Sequence, residues 1–68
     1  MDIMLNGKKL DVPVGATLAA LLRRHDVSDQ TDGIAVAVND AVVPRRQWAD
    51  VHLHEGDAVE VIHAVQGG

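Results

Sequence analysis

The residues that say most about chemistry are the last ones. The sequence closes on His63-Ala64-Val65-Gln66-Gly67-Gly68, a strand-like run followed by two residues that cannot pack. At an average glycine usage of about 7%, two final glycines arise by chance in roughly 0.5% of chains. Slack at a chain end is the plainer explanation of such a tail. The sharper one starts from the terminal carboxylate, which in its ionised form is a poor electrophile. It must become an acyl phosphate or adenylate before a nucleophile can take it. An enzyme that does this has to surround the last carbonyl, and side chains near it are an obstacle. Gly67 and Gly68 let the backbone pass through a narrow channel. Ordering them costs about 1–2 kcal/mol per residue, to be offset by contacts made elsewhere on the domain. The chain has no G-x-x-x-x-G-K-[ST] phosphate loop and no acidic cluster fit for Mg-ATP, so it does not activate its own terminus. An ATP-using partner has to supply that chemistry.

Other groups point to less. His52 and His54 share a face if their stretch is extended, and His63 lies downstream. Three histidines suffice for a metal, but no fourth ligand accompanies them, and solvent-facing histidines are the plainer reading; no metal is expected. Ser28 lies beside Asp29 without a base in view, and Thr17 sits where a helix cap belongs, so no nucleophile and base pair off. No residue is expected to be catalytic in its own right. Arg45 and Arg46 read as a solvated pair, with an acidic partner residue as the rival reading. Trp48, the one aromatic side chain, reads as a core plug.

With 68 residues the chain makes one domain near the lower limit for a self-sufficient core. Apolar residues form 47% of it and aromatics 1%, so Val, Leu, Ile and Ala must build the interior. Such a core leaves no room for a deep substrate cleft, which favours a carrier or binding module over a free-standing enzyme. Without cysteine there is no disulfide framework, thiol nucleophile or Cys-based zinc site, and a cytoplasmic setting is expected. The N-terminal segment reads as neither a signal peptide nor a membrane span. The net charge is −4, with Asp50, Glu55, Asp57 and Glu60 gathered late. Sparse bases and the lack of stacking aromatics speak against nucleic acid; a basic protein partner suits this charge better.

The elements that must position the tail can be read from period and turn chemistry. Asn6-Gly7 between short apolar runs predicts a type I′ hairpin joining strands Asp2–Asn6 and Lys9–Val12. Leu18, Leu21, Leu22 and His25 recur at i, i+3, i+4 and i+7, one face of a helix capped by Thr17. Val27 to Gly33 reads as a polar loop. Ile34, Val36 and Val38 alternate with Ala35 and Ala37 along a strand, which turns at Asn39-Asp40 into another that Pro44 ends. A turn or short helix follows, then Gly56-Asp57 and a final strand, Val59 to Val65. The order β-β-α-β-β-β, with one amphipathic helix on one face of a mixed sheet, gives an α+β class. Returning the last strand to the middle beside the first makes it a β-grasp, or ubiquitin-like, fold of four to five strands. The domain is expected over residues 1–64, with a flexible tail over 65–68.

Three stretches together resemble a known family. They are V-A-V-N-D-A-V-V-P-R-R-Q-W at Val36–Trp48, L-H-E-G-D-A-V-E-V-I at Leu53–Ile62, and a closing V-Q-G-G. The chain is similar across its length to the ThiS-type sulfur carriers of thiamine biosynthesis, and the T-L-A-A-L-L helix start fits as well. The resemblance implies a β-grasp fold and a Gly68 carboxylate adenylated by an E1-like, ThiF-type adenylyltransferase using Mg-ATP. A cysteine-derived persulfide donor then converts the adenylate to a C-terminal thiocarboxylate, the 1-thioglycine form of Gly68. Thiazole synthase, the ThiG-type partner, takes that sulfur, so the carrier is a cosubstrate with no bound cofactor. Val65, Gln66 and Gly67 would thread into the partner's active site. Met4, Ala35, Ala37 and Ile62, out of phase with the inward residues, would form a partner-docking face. The free protein is expected to be a monomer. The small subunit of molybdopterin synthase, a ubiquitin-like modifier and a plain β-grasp interaction domain remain the alternatives.

Overall fold

The computed structural model describes residues 1–63. Two short strands, β1 (Asp2–Leu5) and β2 (Lys8–Asp11), pair antiparallel with Ile3 opposite Leu10. Asn6 at φ 50° and Gly7 at φ 81° form the turn between them, the left-handed pair that a two-residue hairpin requires. The strands are one residue shorter or shifted by one relative to the sequence expectation, because Asn6 and Val12 lie just outside the ladder.

The helix α1 (Leu18–Arg23) is shorter than its apolar pattern suggested. Thr17 caps it, its Oγ1 accepting from Ala20 N at 3.2 Å. The other free N–H groups of the first turn are taken by distant backbone: Leu18 N donates to Val51 O at 2.8 Å and Ala19 N to Trp48 O at 3.0 Å. Its far end closes on Asp26 at φ 63°. There Val27 N donates to Leu22 O and Asp26 N to Arg23 O, the paired bonds of a Schellman close. This corrects the reading of His25. The helical register stops before it, His25 is exposed, and Val27, swung back by the left-handed Asp26, takes the inward place beside Leu22.

Strands β3 (Ile34–Val38) and β4 (Ala41–Val42) make the second hairpin, turning on Asn39 and Asp40 at φ 51° and 69°. A 3-10 helix, Arg45–Gln47, begins at Pro44, and β5 (Ala58–His63) completes the sheet. The order across the sheet is β2-β1-β5-β3-β4. β5 runs parallel to β1 and antiparallel to β3, so the last strand occupies the centre, as the β-grasp arrangement demands. Both edges are poor templates for further pairing: β2 reads K-K-L-D and β4 has two residues.

One core lies between sheet and helix. Ile3, Val36 and Val59 from the sheet meet Leu18, Leu21 and Leu22 from α1, with Leu53 and Trp48 closing the side. Each such side chain contributes about 1.5–3 kcal/mol when fully buried, which is how so small a domain holds its sheet together. Trp48 is 2% exposed and plugs the core as its type suggested. Its Nε1 donates to Val43 O at 2.9 Å, so the polar end is satisfied where burial would otherwise penalise it. Arg45 is not a solvated side chain. Its guanidinium stands 5.5 Å from the Trp48 ring centroid and donates to Asp29 O at 3.0 Å and Ile34 O at 3.2 Å. It ties the loop after α1 to the start of β3, while Arg46 remains exposed.

Two substitutions test this packing. Trp48→Phe removes the donor to Val43 and leaves space at the edge of the core. It is expected to cost about 1–3 kcal/mol, read as a lower urea midpoint by circular dichroism; an unchanged midpoint would contradict the plug. Asp26→Gly relieves a left-handed non-glycine residue and is expected to raise stability by about 0.5–1 kcal/mol, visible as a higher thermal midpoint. A lower midpoint would mean that the Asp26 side chain contributes more than its backbone strain costs.

Candidate functional site

The central strand is the part of the structure that leads to the terminal residues. β5 is held on both sides by backbone and, beyond the ends of its neighbours, by two asparagine side chains. Asn6 N donates to Val59 O at 2.9 Å, and Asn6 Oδ1 accepts from Val61 N at 2.8 Å. The side chain thus adds a rung where β1 has already ended. At the other end Asn39 Oδ1 accepts from Ala58 N at 2.9 Å, and Asn39 N donates to Ala58 O at 2.8 Å. Asn39 Nδ2 in turn donates to Asp57 Oδ1 at 3.0 Å, and Asp57 Oδ2 accepts from His54 N at 2.8 Å. Both left-handed turns therefore clamp the same strand. Nothing in the sequence pattern announced this second use of Asn6 and Asn39. Turn chemistry alone accounts for their presence.

The residues expected to carry the chemistry, Gly68 with Val65, Gln66 and Gly67 before it, lie outside the described residues. So do Ala64 and the last part of the expected strand. The last described residue, His63, stands opposite Ile34 on β3, next to the carbonyl that Arg45 holds.

The sheet face turned away from α1 can be assigned from register. Ile3, Val36 and Val59 are buried against the helix, so Met4 opposite Ala58, Ala35 opposite Ile62 and Ala37 opposite Glu60 face the other way. All of the proposed docking residues thus share one face. They are not equally available. Ile62 is 50% exposed, whereas Ala37 is 6% exposed. Ala37 is flanked in register by Glu60 and Val42, longer side chains that shut solvent away from its single methyl group. Ala37 belongs to the floor of this face and not to its contact surface. Val42, 69% exposed, and Ala58 join the face. The Asn39-Asp40 hairpin would have disclosed Val42, since it sets that residue directly opposite Ala37. A shallow hollow of about 530 Å³ lies on the face, bounded by Met4, Asn6, Gly7, Ala58 and Glu60.

The other candidate groups disperse. His52 forms an isolated bridge with Thr17, His54 Nδ1 lies 3.9 Å from Asp57 Oδ2, and His63 is at the far end of β5. Among the described residues no three His, Cys, Asp or Glu side chains gather in a metal-binding arrangement. The hydroxyls of the loop after α1 serve the backbone: Ser28 N donates to Thr31 Oγ1, and Gln30 N donates to Ser28 Oγ. No described helix is long and apolar enough to cross a membrane.

Comparisons with known proteins agree with this geometry. Residues 3–68 match the family model described as the ThiS family. The chain is 32% identical over its whole length to the sulfur carrier protein ThiS of Escherichia coli, which it also covers completely. It is 38% identical to a region of a thiazole synthase of Magnetococcus marinus, spanning all of this chain but 20% of that protein. The crystal structure of the thiamine biosynthesis protein ThiS from Geobacter metallireducens superposes with a TM-score of 0.83 at 28% identity, each chain covered in full. A five-stranded β-grasp sheet with one helix, and a family match running from residue 3 to residue 68, make this chain a member of the ThiS family, the sulfur carriers of thiamine biosynthesis.

Proposed function

We propose that this chain delivers sulfur on its last residue, as a carrier on which other enzymes act. The observation that carries the reading is the family match, which extends through Gly67 and Gly68. In the proposed cycle the Gly68 carboxylate attacks the α-phosphate of ATP, bound with magnesium on a ThiF-type adenylyltransferase. Pyrophosphate leaves and an acyl adenylate forms. The terminal sulfur of a persulfide then attacks the acyl carbon and AMP departs. Cleavage of the remaining S–S bond by a further thiol leaves the thiocarboxylate. Sulfur in place of oxygen turns a sluggish carboxylate into a nucleophile and sulfur donor, which thiazole synthase accepts. Gly68 returns as a carboxylate, and the domain is ready for another round.

The folded part serves as the handle in this cycle. β5 fixes where residues 64–68 start, and the open sheet face offers Met4, Ala35, Ile62 and Val42 to the enzymes that receive them. Val65, Gln66 and Gly67 enter the partner's channel, where the absence of side chains on the final pair matters. That some thiazole synthases contain a region similar to this whole chain supports thiazole synthase as the acceptor. The carrier works in the cytoplasm, where ATP and persulfide sulfur are at hand.

Intact mass spectrometry tests the central step. Incubated with a ThiF-type enzyme, Mg-ATP and a persulfide source, the full chain should gain the mass difference of sulfur for oxygen. A chain lacking Gly68 should gain nothing. Failure of the full chain to change under conditions that convert another ThiS-type carrier would sink the proposal.

A further inference from the structure

The strip of the open face around β5, formed by Met4, Ala58, Ile62, Ala35, Ala37 and Val42, is apolar except for one residue. Glu60 lies on the middle strand, opposite Ala37 on β3, with Ala58 and Ile62 before and after it on the same side of β5. It is exposed, and among the described residues it belongs to no ion pair. The other charged residues whose register places them on this face are Asp2, Lys9 and Asp11, and Lys9 is engaged by Asp2, Nζ to Oδ2 at 3.5 Å. The arginines stand on the opposite side. Arg23 ends α1 and Arg24 follows it, and Arg45 and Arg46 precede Trp48, where Arg23, Arg45 and Arg46 line one cleft. The domain is thus polarised, with a free carboxylate amid apolar side chains on one side and its guanidinium groups on the other.

A carboxylate in that position constrains what can cover it. Removing a charge from water costs several kcal/mol, and a well-placed opposite charge is needed to balance the loss. An apolar surface alone would therefore be rejected by Glu60, however well it fitted Met4 and Ile62. A surface bringing an Arg or Lys side chain opposite Glu60 would be accepted and oriented by it, because a charge-assisted hydrogen bond fixes register where apolar contact does not.

We propose that Glu60 is a specificity determinant of this face, and that the surface of thiazole synthase that docks there presents a basic side chain to it. This rests on the reading of the open face as the docking surface, and deepens it by naming the charge the partner must carry. Glu60 selects among surfaces of similar shape, and Met4, Ile62 and Val42 supply the contact area.

The test is the affinity of the full-length carrier for thiazole synthase from the same organism, by titration calorimetry at two salt concentrations. The carriers compared are the unaltered one, Glu60→Gln, Glu60→Arg and Ile62→Asp, with circular dichroism of each to check the fold. Glu60→Arg is expected to weaken binding by about tenfold or more, since like charges oppose each other across the interface. Glu60→Gln should weaken it less and reduce its salt dependence; Ile62→Asp should also weaken it. If Ile62→Asp weakens binding while both Glu60 variants bind as well as the unaltered carrier or better, the role of Glu60 is overturned and the docking face stands. If none of the variants changes affinity, the docking face itself is wrong and the proposal falls with it.

Discussion

The pairing of β5 between β1 and β3 is the interaction on which the remaining structure depends. A strand in the middle of a sheet has both backbone edges satisfied and one face buried, so its register admits little slippage. Val59 and Val61 are held toward the helix and Glu60 and Ile62 toward the open side by the same alternation. The parallel partner β1 can be brought there only by a crossover, and α1 provides part of it while roofing the core with Leu18, Leu21 and Leu22. The carbonyls of Val51 and Trp48 close the N-terminus of that helix. The segment before β5 is thus fastened to the helix that covers β5. Removing any of these attachments would loosen the position from which residue 64 onward departs.

Much of this was legible from local rules. Asn6-Gly7 and Asn39-Asp40 announced their hairpins through the left-handed geometry that few other residues tolerate. Thr17 announced the helix start. The β-grasp order followed from the sequence of elements, since a final apolar strand needs a place where both sides are covered. The phase of Met4, Ala35, Ala37 and Ile62 was legible too, since the four do share a face.

What escaped depended on distance in space. The spacing of His25 continues the apolar stripe, but a left-handed Asp26 ends the helix and gives the inward place to Val27. Ala37 has the right phase for contact yet is too small to emerge between Glu60 and Val42. Arg45 has the composition of a surface residue, and only the fold reveals the Trp48 ring beneath it and the carbonyls of Asp29 and Ile34 within its reach. Asn6 and Asn39 each have an evident local purpose, which conceals their hold on β5. In each case the neighbour that decides the role is remote in sequence or depends on side-chain size, and periodicity encodes neither.

The two sheet edges carry a consequence for how such a domain can be held. A small carrier would be captured by any protein offering a spare strand, if its own edges were long and bare. β2, written in lysine and aspartate, and β4, two residues long, deny that grip. Adhesion by backbone, which is strong and indifferent to identity, is closed off at both flanks. What stays open is the palm of the sheet, where any contact is made by side chains. The delivery cycle proposed above needs release after every round, and such a hold suits it better than a zipped edge.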